Sequence, residues 1–283
     1  MVDIEARFID LCKRGFLEKA KLLLKNNPTT DISCFNEKAF RTACYSGHLL
    51  VAQWLLLEKP DIDISANNEE VFREACQHGR LDICIWLLLK KPDINISAKK
   101  EQAFWFACIN GHLKVCQWLL QVKPTINISI ENEEIFSITC YAGHLDIAQW
   151  LLEVKPDIDI SVRQHFPFRI ACNSGHLELA QWLLQIKPDI DISVNNEESF
   201  RRACLFKKVS VAKWLQILKP YLYVIYYNDD GTYKDYYIRE KEEALWCKRK
   251  HLVWLASNST PDKNNLLYKI PEDVSRYIIQ MML

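Results

Sequence analysis

Residues 36–65 read NEKAFRTACYSGHLLVAQWLLLEKPDIDIS. In the first half, Phe40, Ala43 and Cys44 recur at i, i+3 and i+4, the spacing of one helix face, and Gly47 follows as a residue able to take the positive φ of a helix C-terminus. In the second half, Leu49, Ala52, Leu55 and Leu56 share a face with Trp54 beside it, and Pro60 stops the run because proline cannot continue a helix. The segment Asp61-Ile62-Asp63-Ile64-Ser65 then alternates polar and apolar residues, which predicts an extended finger ending in a polar Asn/Glu tip. Two helices this short cannot bury their own apolar faces, so the unit requires neighbours like itself.

Those neighbours are present. Cys12, Cys44, Cys76, Cys108, Cys140, Cys172 and Cys204 are each 32 residues apart, without insertion or deletion. Phe8, Phe40, Phe72, Phe104, Phe136, Phe168 and Phe200 keep the same period, as do Trp54, Trp86, Trp118, Trp150, Trp182 and Trp214, and the prolines from Pro28 to Pro220. A fixed period of this length is the signature of a stacked-repeat architecture. The expected fold is all-α, a helix-turn-helix solenoid, and the chain divides into an N-terminal capping repeat (1–33), six 32-residue repeats (34–220) and a distinct C-terminal region (221–283).

The unit resembles the ankyrin repeat. Ala43-Cys44 stands in the family's paired-alanine place, Gly47-His48-Leu49 at the inter-helix turn and Pro60-Asp61-Ile62-Asp63 in the finger, and the likeness covers residues 2 to 220, about three quarters of the chain. The departures are consistent: Glu-x-Phe-Arg replaces the family's Thr-Pro-Leu-His opening, Trp enters helix two, and the period is 32 in place of 33. These variations resemble the ankyrin arrays of giant DNA viruses. The resemblance implies a non-enzymatic protein that binds another protein, and, for a viral array, one acting in the host cytoplasm.

Composition allows a large core. Of 283 residues, 49% are hydrophobic, and 36 basic residues balance 36 acidic ones, so there is no net attraction for nucleic acid or anionic lipid. The N-terminus MVDIEARFID has neither the basic start nor the apolar run of a secretory signal, and no apolar run approaches the roughly 20 residues of a membrane span. A soluble, monomeric cytoplasmic protein is expected, with its eleven cysteines reduced.

Several columns imitate chemistry. Cys-x-x-x-His recurs at Cys44/His48, Cys108/His112, Cys140/His144 and Cys172/His176, a spacing able to present two ligands to zinc. Buried cysteine, however, serves as a small apolar residue, and Arg80, with no lone pair to offer, breaks the series. Stacked helices about 8–10 Å apart also exceed the roughly 7 Å Cα limit of a disulfide, so the cysteine ladder cannot cross-link itself. No metal site and no cofactor are expected. Arg41, Arg73, Arg169 and Arg201 could form a basic stripe, but Glu70 and Glu198, three residues before two of them, predict an ion-pair ladder. Six of the seven glycines belong to the repeat register, which leaves no phosphate-cradling loop and no catalytic set.

Residues identical in every unit are explained by stacking, so recognition is sought where units differ. The family resemblance places the partner on finger tips and on the exposed side of helix one. The candidates there are Tyr45, Arg73, His78, Trp105, Phe106, Ile109, Tyr141, Phe166 and Asn173. Trp105 takes a register that holds Arg in four other units, and Phe166 one that holds Lys38, Glu70, Glu134 and Glu198. Large aromatics near the centre of a surface are the usual anchors of an interface, although Phe106 and Ile109 could instead pack between helices.

After Pro220 the period ends in YLYVIYYNDDGTYKDYYI, where two Tyr-rich runs flank Asn-Asp-Asp-Gly, a β-hairpin signal. KEEALWCKRKHLVWLASN then resembles a degenerate helix pair capping the array, with Leu245, Trp246, Leu252 and Trp254 as its apolar contacts. The last residues, LLYKIPEDVSRYIIQMML, are similar to the opening of an F-box through Ile270, Pro271, Val274 and Ile278. That likeness implies ubiquitin-ligase components as partners and a substrate-adaptor role. An amphipathic helix closing the array explains the same residues.

Overall fold

The seven helix pairs predicted up to Pro220 form. The computed structural model describes residues 4–220, 222–228 and 231–238. Fourteen helices occur among them: α1 (Ile4–Lys13), α2 (Leu17–Asn26), α3 (Cys34–Ser46), α4 (Leu49–Glu58), α5 (Ala66–Gln77), α6 (Leu81–Lys90), α7 (Ala98–Ile109), α8 (Leu113–Val122), α9 (Ile130–Ala142), α10 (Leu145–Val154), α11 (Val162–Ser174), α12 (Leu177–Ile186), α13 (Val194–Leu205) and α14 (Val209–Leu218). Two strands follow, β1 (Tyr223–Tyr227) and β2 (Tyr233–Ile238). The fold class expected from the sequence, an all-α array of ankyrin-type helix pairs followed by a hairpin, is the one observed. None of these helices is long and apolar enough to cross a membrane. The chain forms two compact units, Met1–Ala171 with Glu178–Asp191, and Cys172–Leu177 with the described residues from Ile192 onward.

In the first unit, the odd-numbered helices α1, α3, α5, α7 and α9 pack in succession, each also packed on its own even-numbered partner. Phe8, Phe40, Phe72, Phe104, Phe136 and Phe168 are sealed from solvent. Removing each such ring from water contributes roughly 1.5–3 kcal/mol. The tryptophans complete this layer across the repeat boundary: Phe8 meets Trp54, Phe40 meets Trp86, Phe72 meets Trp118 and Phe104 meets Trp150, at ring separations of 6.1 to 6.3 Å. Each tryptophan therefore covers the phenylalanine of the preceding repeat. Helix two is buried through Val51, Ala52, Trp54 and Leu55 in α4, whereas Leu49 and Leu56 are only half-buried, which shifts the expected face by part of a turn toward Val51.

The glycine column serves two ends, as Gly111 illustrates. Its φ is +80°, and a Cβ there would lie 2.6 Å from the His144 ring. The imidazole rests on the bare glycine backbone of the preceding repeat and bonds the Ile109 carbonyl from Nε2 at 3.0 Å. His112 does the same to the Gln77 carbonyl at 2.9 Å, and Arg80 donates from Nε to the Tyr45 carbonyl at 3.0 Å. A carbonyl only accepts, so both imidazoles donate from Nε2. These side chains satisfy the orphan carbonyls at the C-terminus of helix one, one repeat away.

The fingers are not extended. Between Lys59 and Ala66 the chain makes two turns, because Asp63 Oδ1 accepts the Ser65 N–H at 3.0 Å and bends the segment. Asp31/Ser33, Asn95/Ser97 and Asp159/Ser161 repeat the bond. The alternation that suggested a strand reflects Ile62 and Ile64 pointing inward, both buried. The tip then makes a left-handed turn before the right-handed helix begins. Asn67, Asn68 and Glu69 have φ of 55°, 57° and 63°, and Lys99-Lys100-Glu101 and Arg163-Gln164-His165 behave alike. A hydrogen bond from Glu69 N to Ser65 O closes this turn at 3.1 Å. Pro167 is tolerated in α11 for the same reason: the right-handed helix starts only after His165, so proline sits in its first turn, where an N–H has no intrahelical acceptor.

In the second unit, α13 and α14 pack together and β1 packs on α14. β1 and β2 pair antiparallel, Tyr223 with Ile238 and Ile225 with Tyr236, with an irregularity between Tyr226 and Tyr227. Phe200 is covered here by tyrosines: Tyr223 stacks on it at 4.0 Å and Tyr236 meets it edge-on at 5.8 Å. The hairpin thus supplies the aromatic cover that the next repeat's tryptophan supplies elsewhere. The expected capping helices around Leu245, Trp246, Leu252 and Trp254 lie outside the described residues.

Gly111→Ala should destabilise the array by about 2–4 kcal/mol, from left-handed strain and collision with His144. In a His144→Ala background the same substitution should cost only about 1–2 kcal/mol, the backbone share. Urea denaturation of the four variants measures the coupling.

Candidate partner-binding surface

The surface is built on the last turns of helix one and on the finger tips. Tyr45, in the last turn of α3, is half-buried, with its ring 5.4 Å from that of His78, which caps α5 and is exposed. Desolvation and then the Arg80 charge hold the His78 imidazole below its usual range, so it is neutral at physiological pH. On α7, the Trp105 and Phe106 rings are 5.0 Å apart and, with Ile109, half-buried. Tyr141, in the last turn of α9, is 54% exposed. Because α3, α5, α7 and α9 are successive neighbours in one unit, these residues occupy successive rungs. Phe166 lies half-buried beneath the Arg169 guanidinium, 5.7 Å from its ring centroid.

Two candidates are drawn inward. Arg73 is only 7% exposed and Asn173, in the other unit, 8%. Arg73 is committed to its own finger tip: Nε donates to the Asn68 carbonyl at 2.8 Å and Nη2 to the Asn67 carbonyl at 3.1 Å, while Nη1 reaches Gln102 of the next repeat. Arg169 grips Gln164 and Arg163, and Arg201 grips Asn196 and Asn195, in the same two-pronged manner. In these three repeats the guanidinium fork clamps the left-handed turn.

This corrects the ion-pair ladder expected from sequence. Arg41 takes Glu70 of the following repeat at 2.8 Å, and Glu198 pairs with Arg202, so each glutamate takes a partner other than the arginine three residues after it. The planar fork matches two adjacent carbonyls at the tip, which an acid on the same helix cannot offer. The expected local pairs lose to that geometry. Where the register holds Trp105 or Ser137 there is no guanidinium, yet Lys99, Lys100 and Glu101 before Trp105 make the same left-handed turn. Repeated glutamates at the tips anchor lysines: Lys59 bonds Glu37 at 2.9 Å and also Ser33. Glu74, beside this network, is raised above the usual carboxylate range by desolvation and then by Glu70, against Arg41 and Arg73.

The cysteine columns offer no nucleophile. Burial pushes the Cys12 and Cys204 thiols up to about 12 and raises those of Cys44, Cys76, Cys108, Cys140 and Cys172 well above the ordinary thiol range, so all stay protonated at neutral pH. Among the described residues, no group of three or more His, Cys, Asp or Glu side chains could hold a metal ion. His112 and His144, which follow two of these cysteines, direct Nε2 at a carbonyl of the preceding repeat.

Sequence reasoning missed the arginine fork and the histidine staple. Both had a signal. The residue four after each cysteine is His, Arg or Lys from the second unit onward, and His48, Arg80, His112, His144 and Lys208 each face the glycine 33 residues earlier. Ile270, Pro271, Val274 and Ile278 lie outside the described residues.

Comparison with protein-family models matches Ankyrin repeats (3 copies) over residues 72–164 and 104–196, and Ankyrin repeats (many copies) over residues 40–88. Together the matched segments span more than half of the chain. No curated protein matches the sequence.

Arg73→Met should cost about 1–3 kcal/mol of stability, because two carbonyls lose their donor in a buried setting. Arg201→Met, at a more exposed tip, should cost less than about 1 kcal/mol. Paired denaturation curves check this, and an unchanged midpoint for Arg73→Met would free that residue for a ligand.

Proposed function

The chain belongs to the ankyrin-repeat family, a protein–protein interaction module, and from that premise we propose that it captures a protein partner without catalysis, on the finger tips and helix-one turns of its second to fifth repeats. The observation that carries this reading is the aromatic surface where units depart from the common pattern: Trp105, Phe106 and Tyr141 at the centre, with Tyr45, His78 and Ile109 beside them. Tryptophan and tyrosine supply large contact area at low entropic cost and dominate interface energetics. Arg73 and Asn173 are buried and leave this surface, while Phe166 extends it. The resemblance to giant-virus arrays makes a host protein of the cytoplasm the natural partner.

A second reading rests on the F-box-like residues Ile270, Pro271, Val274 and Ile278: the array selects a target and the tail docks a cullin-type ubiquitin ligase. Charge balance and the aromatic surface suit either role, and the tail separates them.

Trp105→Ala should weaken partner recovery by about tenfold or more while moving Tm by less than about 2 °C. Quantitative mass spectrometry of co-purified proteins and a thermal melt read the two effects. A large fall in Tm would place Trp105 in the core. In the same experiment, a chain ending at Asn265 should keep the target and, under the adaptor reading, lose cullin components. Absence of cullin components from the full-length sample removes that reading.

A further inference from the structure

One core column breaks its own rule. Helix two faces the cysteine of helix one with Ala20, Ala52, Ala148, Ala180 and Ala212 in five pairs, but with Cys84 and Cys116 in the third and fourth. All five alanines are sealed from solvent, so the register needs no sulfur to be filled. Both exceptions bring sulfur to sulfur: Cys76 Sγ lies 3.5 Å from Cys84 Sγ, and Cys108 Sγ 3.5 Å from Cys116 Sγ. All four residues are fully buried.

We propose that Cys76–Cys84 and Cys108–Cys116 are two redox staples, each closing on oxidation into a disulfide that ties helix one to helix two within its repeat. This pairing differs from the cysteine ladder along the array, because each pair lies within one helix hairpin, eight residues apart.

With a peroxide as the two-electron oxidant, one thiolate attacks a peroxide oxygen, giving a sulfenic acid and one water. The partner thiol then attacks the sulfenic sulfur and expels a second water. In sum, two thiols and one hydrogen peroxide yield one disulfide and two waters, each sulfur losing one electron and one proton. The sulfurs must approach from 3.5 Å to about 2.05 Å, a shift of about 1.5 Å. Burial, and next the neighbouring sulfur, keep the Cys76 and Cys108 thiols protonated. Oxidation must therefore wait for transient opening of the hairpin, which makes the staple slow to close and, once closed, shielded. The tied turns carry His78 two residues after Cys76, and Phe106 and Ile109 around Cys108, so closure stiffens the presenting surface.

Full-length reduced protein treated with hydrogen peroxide and then alkylated should yield tryptic peptides joined through Cys76–Cys84 and Cys108–Cys116. Arg80 and Lys114 lie between the partners, so trypsin separates each pair unless it is cross-linked. The oxidised protein should melt about 5 °C or more higher, and dithiothreitol should reverse the shift. The double variant Cys84→Ala, Cys116→Ala carries the residue that five other pairs use, and should show neither cross-link nor shift. Four thiols that remain alkylatable, conversion to sulfinic or sulfonic acids in place of disulfides, or cross-links without a rise in Tm would each overturn the proposal. The peptide map of the parent protein decides the matter even if the variant folds poorly.

Discussion

A hairpin of two helices, each about ten to thirteen residues long, cannot remove its own apolar faces from water, and everything else in this molecule follows from that deficit. The remedy is a ring from the next repeat. Phe8 waits for Trp54, Phe40 for Trp86, Phe72 for Trp118 and Phe104 for Trp150. In the second unit the series ends with Phe200, and two hairpin tyrosines take over the task. The chemistry changes from indole to phenol, but the need for an apolar cover does not.

Stacking also decides where polar groups go. A helix C-terminus leaves carbonyls without partners, and the following repeat brings a donor over them. That donor is His112 or His144 in two repeats and Arg80 in another, and it lies flat because the residue beneath is a glycine. The arginine forks answer a similar need at the finger tips, where a left-handed turn exposes two adjacent carbonyls. Residues with catalytic or ligand-binding reputations are thereby absorbed into the backbone's hydrogen-bond accounts. What is left over is informative: Trp105 stands where the fork should be, and Cys84 and Cys116 stand where alanine suffices.

The candidate surface shows how far periodicity reaches. Registers that vary between units identified Tyr45, His78, Trp105, Phe106, Ile109 and Tyr141, all of which retain exposure, because variation at a rung is tolerated only where the stack does not enclose the side chain. The same logic failed for Arg73 and Asn173. Arg73, like Arg169 and Arg201, turns back onto its own tip, and no spacing reveals the direction in which a flexible side chain folds.

By itself the sequence determined the period, the seven helix pairs, the buried phenylalanine column and the hairpin after Pro220, because these depend on local helix periodicity, turn residues and the burial of apolar side chains. Tertiary structure alone decided the shape of the fingers, the carbonyl partners of histidine and arginine, and the approach of Cys84 to Cys76. Those features depend on the offset between neighbouring helices: a bond across 35 residues, or a contact across 33, forms only when stacking brings a donor to a carbonyl or a ring to a glycine face.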